Sequence, residues 1–256
     1  MSQDTVVIPP DRFDAVIFDM DGVVTDTASL HSKAWKQMFD DYLRRRAAAR
    51  GETFQPFRAE DYRRYVDGKP RFDGVASFLA SRGVDLPFGQ PDDSPGRETV
   101  CGLGNRKNNL FWQLLDEHGP RRYESTVQLL HSLREHGIRA AVISSSRNTR
   151  AVLEAAGVRD LFDAEVGGEV AAELGLPGKP DPAVFLEAAG RLNAAPSRAV
   201  VVEDAIAGVQ AGRAGGFGLV IGVDRAGHAH ELVVAGADVV VDDLESVRVA
   251  DADDVR

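Results

Sequence analysis

Two hydrophobic patterns alternate along this chain. Residues 14–19 form a short apolar run that ends in Asp19, which is typical of a strand buried on both faces. From about Tyr123 onward, further apolar runs alternate with segments whose apolar positions recur at helical spacing. Strands that alternate with helices in this way predict a parallel sheet covered by helices on both faces.

The part of the chain after Tyr123 contains most of the predicted elements. Gly157 is expected to end one helix, and Pro182 is well placed in the first turn of another. The predicted helices are 124–136, 148–156, 181–193 and 205–214, and the predicted strands are 138–144, 198–203, 218–223 and 237–241. The fold class expected from this order is α/β, with a Rossmann-like parallel sheet.

The hydrophobic pattern of residues 28–121 is different, because this segment contains no strand-like run. Their pattern predicts helices over residues 28–50, 72–81 and 105–118, with a loop rich in Pro, Gly and Asp at residues 86–96. An all-helical insertion therefore separates the first strand from the rest of the sheet. The expected domains are an α/β core formed by residues 1–27 and 122–256, and a helical cap formed by residues 28–121.

Charge and composition narrow the function classes. The formal net charge of −10 argues against a nucleic-acid partner, since phosphate backbones require a basic face. No apolar stretch is long enough to span a membrane, and the first ten residues are acidic where a signal peptide would be basic. The sequence therefore predicts a cytoplasmic protein, monomeric or weakly homo-oligomeric, with no membrane partner.

Cys101 is the single cysteine, which excludes an intrachain disulfide, and we interpret it as an incidental thiol.

The first candidate motif is FDMDGVVTDT, residues 18–27. Asp19 and Asp21 follow an apolar strand, at the sheet edge where open α/β folds place their ligands. Like charges this close are costly without a cation between them, and Mg²⁺ prefers such hard oxygen ligands. A solvated Asp-x-Asp-Gly turn is the structural alternative for these residues taken alone.

Three further segments carry candidate chemistry. Ser144 ends the second core strand, Lys179 stands in GKPDP before a helix, and Glu203 and Asp204 end the strand AVVVED. Each has a structural alternative: helix capping for Ser144 and Asp204, and a solvated side chain for Lys179. The four segments together, in this order, are far more specific than any one of them.

These four motifs resemble those of the haloacid dehalogenase superfamily of phosphotransferases. The resemblance implies that Asp19 attacks phosphorus and becomes an aspartyl phosphate, while Asp21 acts as general acid and base. It implies that Ser144 and Lys179 bind the transferring phosphoryl group. It also implies one Mg²⁺ per active site, held by Asp19, the backbone carbonyl of Asp21, and Asp204, with Glu203 completing or supporting the set.

Within that superfamily, the chain resembles the β-phosphoglucomutase-like family. That resemblance implies a cap that closes over the site, a hinge at Thr27, and a small phosphorylated sugar as substrate. The implied substrate-binding residues are Thr27, His31, Trp35, Gly68, Arg71, Lys107, Ser146, Arg147 and Asn148. Arg147 departs from the lysine that the family usually has there. The insert is also longer than is typical of the family, chiefly at residues 42–57 and 86–99.

Structural alternatives remain for the cap residues. His31 and Trp35 lie four residues apart, on one face of the predicted helix, where they would also pack together. Arg71 and Lys107 would serve equally as surface charges.

Several function classes are compatible with these motifs to different degrees. The leading hypothesis is a mutase that interconverts β-glucose 1-phosphate and glucose 6-phosphate through a bisphosphate. The alternative is a phosphatase that hydrolyses a sugar phosphate or a similar small ester. A signalling receiver domain is disfavoured because its acceptor Asp is not on the first strand. An inactive binding module is disfavoured because the whole set of candidate catalytic residues is present.

Overall fold

The computed structural model describes residues 5–250. The chain divides into two compact units. The first comprises the chain up to Asp26 together with the chain from Pro120 onward, and the second comprises Thr27–Gly119. Each unit has a hydrophobic core of its own, as separate domains do.

The helices and strands of residues 5–250 are named here in chain order. The strands are β1 Val6–Ile8, β2 Ala15–Asp19, β3 Arg139–Ile143, β4 Ala164–Val166, β5 Ala199–Glu203, β6 Leu219–Val223, β7 Val239–Val241 and β8 Val247–Val249. The α-helices are α1 Ala28–Arg50, α2 Ala59–Asp61, α3 Arg71–Ser81, α4 Val100–His118, α5 Glu124–Glu135, α6 Thr149–Ala155, α7 Gly168–Glu173, α8 Ala183–Arg191, α9 Ile206–Ala214 and α10 Ala229–Ala235. A π-helical segment spans Tyr62–Val66, and 3₁₀ segments span Arg159–Leu161, Pro196–Arg198 and Leu244–Ser246.

A six-stranded parallel sheet forms the centre of the first unit, in the order β4-β3-β2-β5-β6-β7. Every residue of β2 and β5 is buried. Helices α8 and α9 pack against the face of the sheet that carries Ala15, Ile17 and Val201. Both strands are continuously apolar because the residues on both of their faces are buried. The predicted α/β class, a parallel sheet with flanking helices, is confirmed. The register places Asp19 beside Ile143, at the carboxyl edge.

The first unit also contains short elements that the pattern did not predict. Strands β1 and β8 form a separate two-stranded parallel sheet, in which Val6 pairs with Val247. Strand β4 and helices α7 and α10 were also missed. The missed strands have three residues each, and the two helices have six and seven. Segments this short contain too few apolar positions for a hydrophobic period to be recognised.

Helix α4 begins earlier than predicted, at Val100 rather than at residue 105. The Thr99 hydroxyl accepts a hydrogen bond from the amide of Gly102 at 2.9 Å and caps the helix. Glycine disfavours helices, and Gly102 and Gly104 lie in the part of α4 that was not predicted. Packing overrides that preference, because a Cβ at Gly104 would lie 2.7 Å from the Phe72 ring.

The second unit is helical, and its core is aromatic. The Phe39 ring lies 5.3 Å from Trp35, 5.0 Å from Phe57 and 4.2 Å from Phe78, measured between ring centroids. All four side chains are almost completely buried. Burial of four large rings is the main apolar stabilisation of this unit.

The long segment 42–57 forms part of this core. Helix α1 continues to Arg50, and the chain then turns at Gly51, whose φ is +67°. The returning chain is fixed to α1 by Asp40, whose Oδ1 accepts from the Phe57 amide at 2.8 Å and whose Oδ2 accepts from Lys36 at 2.8 Å. This segment is therefore an integral part of the helical unit.

The second long segment, 86–99, is organised around Asp93. Its side chain is buried and accepts hydrogen bonds from the Thr99 hydroxyl at 2.7 Å and from Arg97 at 2.9 Å. Asn105 donates to the backbone carbonyl of Asp93 at 2.8 Å. These contacts fix the loop to the start of α4.

Among residues 5–250, no helix has both the length and the apolar character that a membrane span requires.

Candidate active site

Asp19 ends β2 and is held at two points. Its Oδ2 accepts a hydrogen bond from the backbone amide of Asp21 at 2.9 Å, and its Oδ1 accepts from the Lys179 ammonium. The chain can turn back so soon after the strand because Gly22 adopts a φ of +92°. The Gly22 amide then donates to the Thr25 carbonyl at 2.7 Å. This turn places two carboxyl groups at the sheet edge.

Asp21 and Ser144 meet across neighbouring strands. The Ser144 hydroxyl lies 3.1 Å from Oδ2 of Asp21, and it accepts from the Ser146 amide at 3.0 Å. They meet because β2 and β3 are adjacent and parallel, so their carboxyl ends coincide. Ser144 therefore holds the Asp21 carboxyl group, whose charge acts on Asp19.

Lys179 joins two buried carboxylates. Its ammonium donates to Asp19 and to Oε1 of Glu203, and only 1% of the side chain is exposed. Burial alone would lower the pKa of Lys179, but the charges of Asp19 and Glu203 outweigh that effect and raise it. The lysine is therefore a fixed cation at neutral pH.

Glu203 has both oxygens engaged by donors of the protein. Oε1 accepts from Lys179, and Oε2 accepts from the Ala205 amide at 2.7 Å. Gly208 is required here, since a Cβ at that position would lie 1.8 Å from Oε1 of Glu203. The geometry makes Glu203 the residue that fixes the lysine.

The carboxylates are also arranged in a way that suits a divalent cation. Oxygen atoms of Asp19, Glu203 and Asp204 lie within 4.8 Å of one another, and all three residues are buried. Burial raises the pKa of Asp19 well above its ordinary value; Lys179 opposes this, and the charges of Glu203 and Asp21 add to it. The ammonium balances one of the three charges, so hard oxygen donors with excess negative charge fit Mg²⁺.

The predicted substrate loop follows β3 directly. The Ser146 hydroxyl accepts from the Asn148 amide at 3.1 Å, and its carbonyl accepts from Thr149 at 2.7 Å. Arg147 is exposed. It lies on a groove of about 460 Å³ that also includes Ser146 and three further arginines. Ser146 therefore contacts Ser144 directly, whereas the groove that Arg147 lines does not include Ser144.

In the helical unit, three predicted substrate residues form one cluster. The Lys107 ammonium contacts Nδ1 of His31. It also lies 5.0 Å from the Trp35 ring centroid and 5.3 Å from that of Phe111. The His31 ring stacks on Phe111 with centroids 3.9 Å apart. Lys107 is buried, so it is not a surface charge. Trp35 belongs to the aromatic core as well as to this cluster.

The remaining predicted residues lie at element boundaries of the helical unit. Thr27 is buried and precedes α1, and its carbonyl accepts from the His31 amide at 2.9 Å. Gly68 has a φ of +70° in the turn that precedes α3. Arg71 is the first residue of α3, with its guanidinium 5.0 Å from the Phe72 ring. Gly68 and Arg71 are close in the chain and lie at the start of α3, whereas Thr27 lies at the start of α1.

The sequence analysis missed the segment that follows β6. Arg225 and His228 donate to backbone carbonyls of Gly22 and Asp204. Their position after a core strand was the available signal. It carried little weight because contacts to backbone atoms leave no recognisable motif.

Comparison with known proteins identifies the family. A family of hydrolases described as haloacid dehalogenase-like matches residues 13–216. A β-phosphoglucomutase of Mycobacterium bovis is 49% identical over 92% of this chain and 91% of its own length. An uncharacterized glycosyl hydrolase of Mycobacterium tuberculosis is 45% identical over 94% of this chain, but over only 18% of its own length.

A solved structure supports the same assignment. The crystal structure of a β-phosphoglucomutase from Clostridium difficile superposes with a TM-score of 0.69 at 26% identity. The match covers 91% of this chain and 92% of that chain. The chain therefore belongs to the haloacid dehalogenase-like hydrolase family, among the relatives of the β-phosphoglucomutases, and is an enzyme of the phosphotransferase or phosphatase type.

Proposed function

We propose that this enzyme transfers phosphoryl groups through a phosphorylated Asp19, and that its reaction is that of β-phosphoglucomutase. The reaction converts β-glucose 1-phosphate to glucose 6-phosphate through β-glucose 1,6-bisphosphate. The observation that carries the proposal is the arrangement around Asp19. One carboxylate is held by an ammonium and an amide, and the Asp21 carboxyl group beside it is held by Ser144.

This arrangement supports covalent catalysis with proton transfer. An oxygen of Asp19 forms a bond to phosphorus as the bond between phosphorus and the sugar oxygen breaks. Asp21 gives its proton to that leaving oxygen, and it takes a proton from the sugar hydroxyl that receives the phosphoryl group next. Lys179 and the Ser144 hydroxyl stabilise the charge on the phosphoryl oxygens.

We propose Mg²⁺ as the cofactor, one ion per site. Asp19, Asp204 and the backbone carbonyl of Asp21 would hold it. Glu203 would support the site through Lys179, since both Glu203 oxygens already accept hydrogen bonds. When bound, Mg²⁺ supplies positive charge to the phosphoryl oxygens of the transition state.

Two observations favour a sugar phosphate as substrate. The first is that the Mycobacterium bovis relative, which matches this chain over 91% of its own length, is named a β-phosphoglucomutase. The helical unit also carries Arg71 and the pair formed by His31 and Lys107. We propose that Arg71 binds the phosphate that is not being transferred, because a guanidinium forms two parallel hydrogen bonds to phosphate.

A coupled assay separates the mutase from the alternative, a sugar-phosphate phosphatase. The enzyme is given Mg²⁺, β-glucose 1-phosphate and a trace of glucose 1,6-bisphosphate, and glucose 6-phosphate and free phosphate are followed together. We expect glucose 6-phosphate to form much faster than free phosphate. Free phosphate without glucose 6-phosphate would instead establish the phosphatase.

Arg71→Ala tests the second phosphate contact. We expect mutase kcat/KM to fall about 10- to 100-fold, because this is the change in affinity that one hydrogen bond to a charged group contributes. Hydrolysis of a small aryl phosphate, which has no second phosphate, should change less than about threefold by the same argument. Arg64→Ala is the matched control, because Arg64 is an exposed arginine of the same unit that pairs with Glu60. Equal losses in both reactions would contradict the assignment.

A further inference from the structure

The segment Asp224–His228 lies directly after β6, and two of its side chains contact backbone carbonyl groups of the active site. Arg225 Nε donates to the carbonyl of Gly22 at 3.0 Å, and His228 Nε2 lies 3.2 Å from the carbonyl of Asp204. We propose that Arg225 and His228 are positioning residues, which together set the spacing between the turn after Asp19 and the Mg²⁺-binding carboxylate of Asp204. This inference rests on the proposed function.

Arg225 is itself held firmly. Its Nη1 donates to Oδ2 of Asp243 at 2.7 Å and to the Asp242 carbonyl at 3.2 Å. Its guanidinium lies 3.9 Å from the centroid of the Tyr123 ring. Burial, with a smaller contribution from Asp26, raises the pKa of Tyr123 to about 12, so the stacked ring is neutral. A guanidinium fixed on three sides holds the Gly22 carbonyl in one place.

The backbone at His228 is held by Asp224. The imidazole is buried, and the backbone amide of His228 donates to Oδ1 of Asp224 at 2.9 Å. Burial opposes the charge on Asp224, but hydrogen bonds from the backbone amides of His228, Ala226 and Ala229 lower its pKa, so it is a carboxylate. Because a carbonyl only accepts, Nε2 must carry a proton to bond Asp204. The held backbone and the hydrogen bond from Nε2 to the Asp204 carbonyl thus fix the direction of the ring.

The turn at Gly22 and the segment at Asp204, which these two side chains contact, also touch each other. A Cβ at Gly22 would lie 1.9 Å from Oδ2 of Asp204, so the Asp204 carboxylate lies directly against the Gly22 backbone. A shift of either segment changes the distance from Asp204 to Asp19. One five-residue loop controls both segments, which makes it the natural place to set that distance.

The expected consequence is on Mg²⁺ affinity. Loss of a residue that orients a metal ligand typically weakens metal binding about 10- to 100-fold. We expect that loss for His228→Leu and for Arg225→Met, measured as the Kd for MgCl2 by titration calorimetry. We expect kcat for an aryl phosphate at saturating Mg²⁺ to change much less than the Mg²⁺ concentration at half-maximal rate.

Matched variants separate positioning from general destabilisation. His230→Leu alters an exposed histidine of α10, the helix that directly follows His228, and Arg213→Met alters an exposed arginine paired with Asp238. Both controls should keep the wild-type Kd. His228→Gln retains an N–H donor near the position of Nε2 and should recover part of the lost affinity. If His228→Leu fails to fold, His228→Gln and Arg225→Met still decide the question.

Asp204→Asn distinguishes the possible failures. If Asp204→Asn weakens Mg²⁺ binding while folded His228 and Arg225 variants keep the wild-type Kd, the positioning role is overturned and the proposed function stands. If wild-type protein shows no Mg²⁺ binding that Asp204→Asn removes, the proposed metal site and this inference both fail.

Discussion

Asp19→Asn is expected to abolish phosphoryl transfer, with kcat falling by a factor on the order of 10⁴–10⁶, as for loss of other catalytic nucleophiles. The amide is nearly the same size as the carboxylate but has no charge with which to attack phosphorus. Wild-type protein mixed with radiolabelled β-glucose 1,6-bisphosphate should retain label after denaturation, and the variant should not. Turnover and covalent labelling both test the proposed bond between Asp19 and phosphorus.

Stability should respond to Asp19→Asn in the opposite direction. Burial and neighbouring carboxylates raise the pKa of Asp19, so ionised Asp19 destabilises the metal-free fold at neutral pH. The variant should therefore unfold in EDTA at an equal or higher temperature than the wild type.

The matched control for this prediction lies directly before the same strand. Asp14→Asn, just before β2, removes only an exposed pair with Arg198 and should keep full activity. Residual Asp19→Asn activity above a few per cent, in protein shown by mass spectrometry to be free of deamidation, would overturn the nucleophile assignment.

Lys179→Met is expected to affect folding and catalysis together. The substitution leaves Asp19 and Glu203 as buried carboxylates without their shared cation, which costs about 3–5 kcal/mol for a broken buried pair. Activity should fall about 10²- to 10³-fold, because a fixed charge on the transferring group is lost. Urea unfolding at pH 7.5 in EDTA measures the first effect, and aryl phosphate hydrolysis measures the second.

The stability loss of Lys179→Met should depend on pH. In the wild type, the raised pKa of Lys179 keeps its stabilising charge fully present at and below neutral pH. In the variant, the pKa of Asp19 rises further, because the lowering effect of Lys179 is gone. That penalty is present above the unfolded pKa of Asp, about 3.9, and is relieved as the pH falls through the raised folded pKa.

We therefore expect a smaller loss of unfolding free energy at pH 5 than at pH 7.5. Lys33→Met, which alters an exposed lysine, is the control and should show no loss at either pH. A loss that is the same at both pH values would mean that the buried carboxylates are not the cause.

The sequence predicted the sheet and its edge well, for a physical reason. Strands β2 and β5 are buried on both faces, so their apolar runs are unbroken and the polar residues that follow them stand out. Asp19 and Asp204 were therefore found as strand ends, and the structure places them within one cluster. Patterns of this kind report burial directly.

The sequence was less informative where packing decides. Trp35 was predicted as a substrate residue, but its ring is also part of the aromatic core of the helical unit, and one pattern cannot separate the two roles. Arg225 and His228 were missed because they act on backbone carbonyls. Any residue type provides such a carbonyl, so the partner leaves no trace in the sequence.

The position of β2 in the sheet also has a consequence for biosynthesis. Strand β2 is the first of the six core strands to be synthesised, yet it pairs on both sides with strands made much later, β3 and β5. Lys179, which holds Asp19, follows it by 160 residues. The apolar strand must remain unpaired until the distant segments have been synthesised, which slows folding and exposes an aggregation-prone hydrophobic surface. Catalytic activity can therefore appear only after the sheet is assembled, which makes it a direct reporter of complete folding.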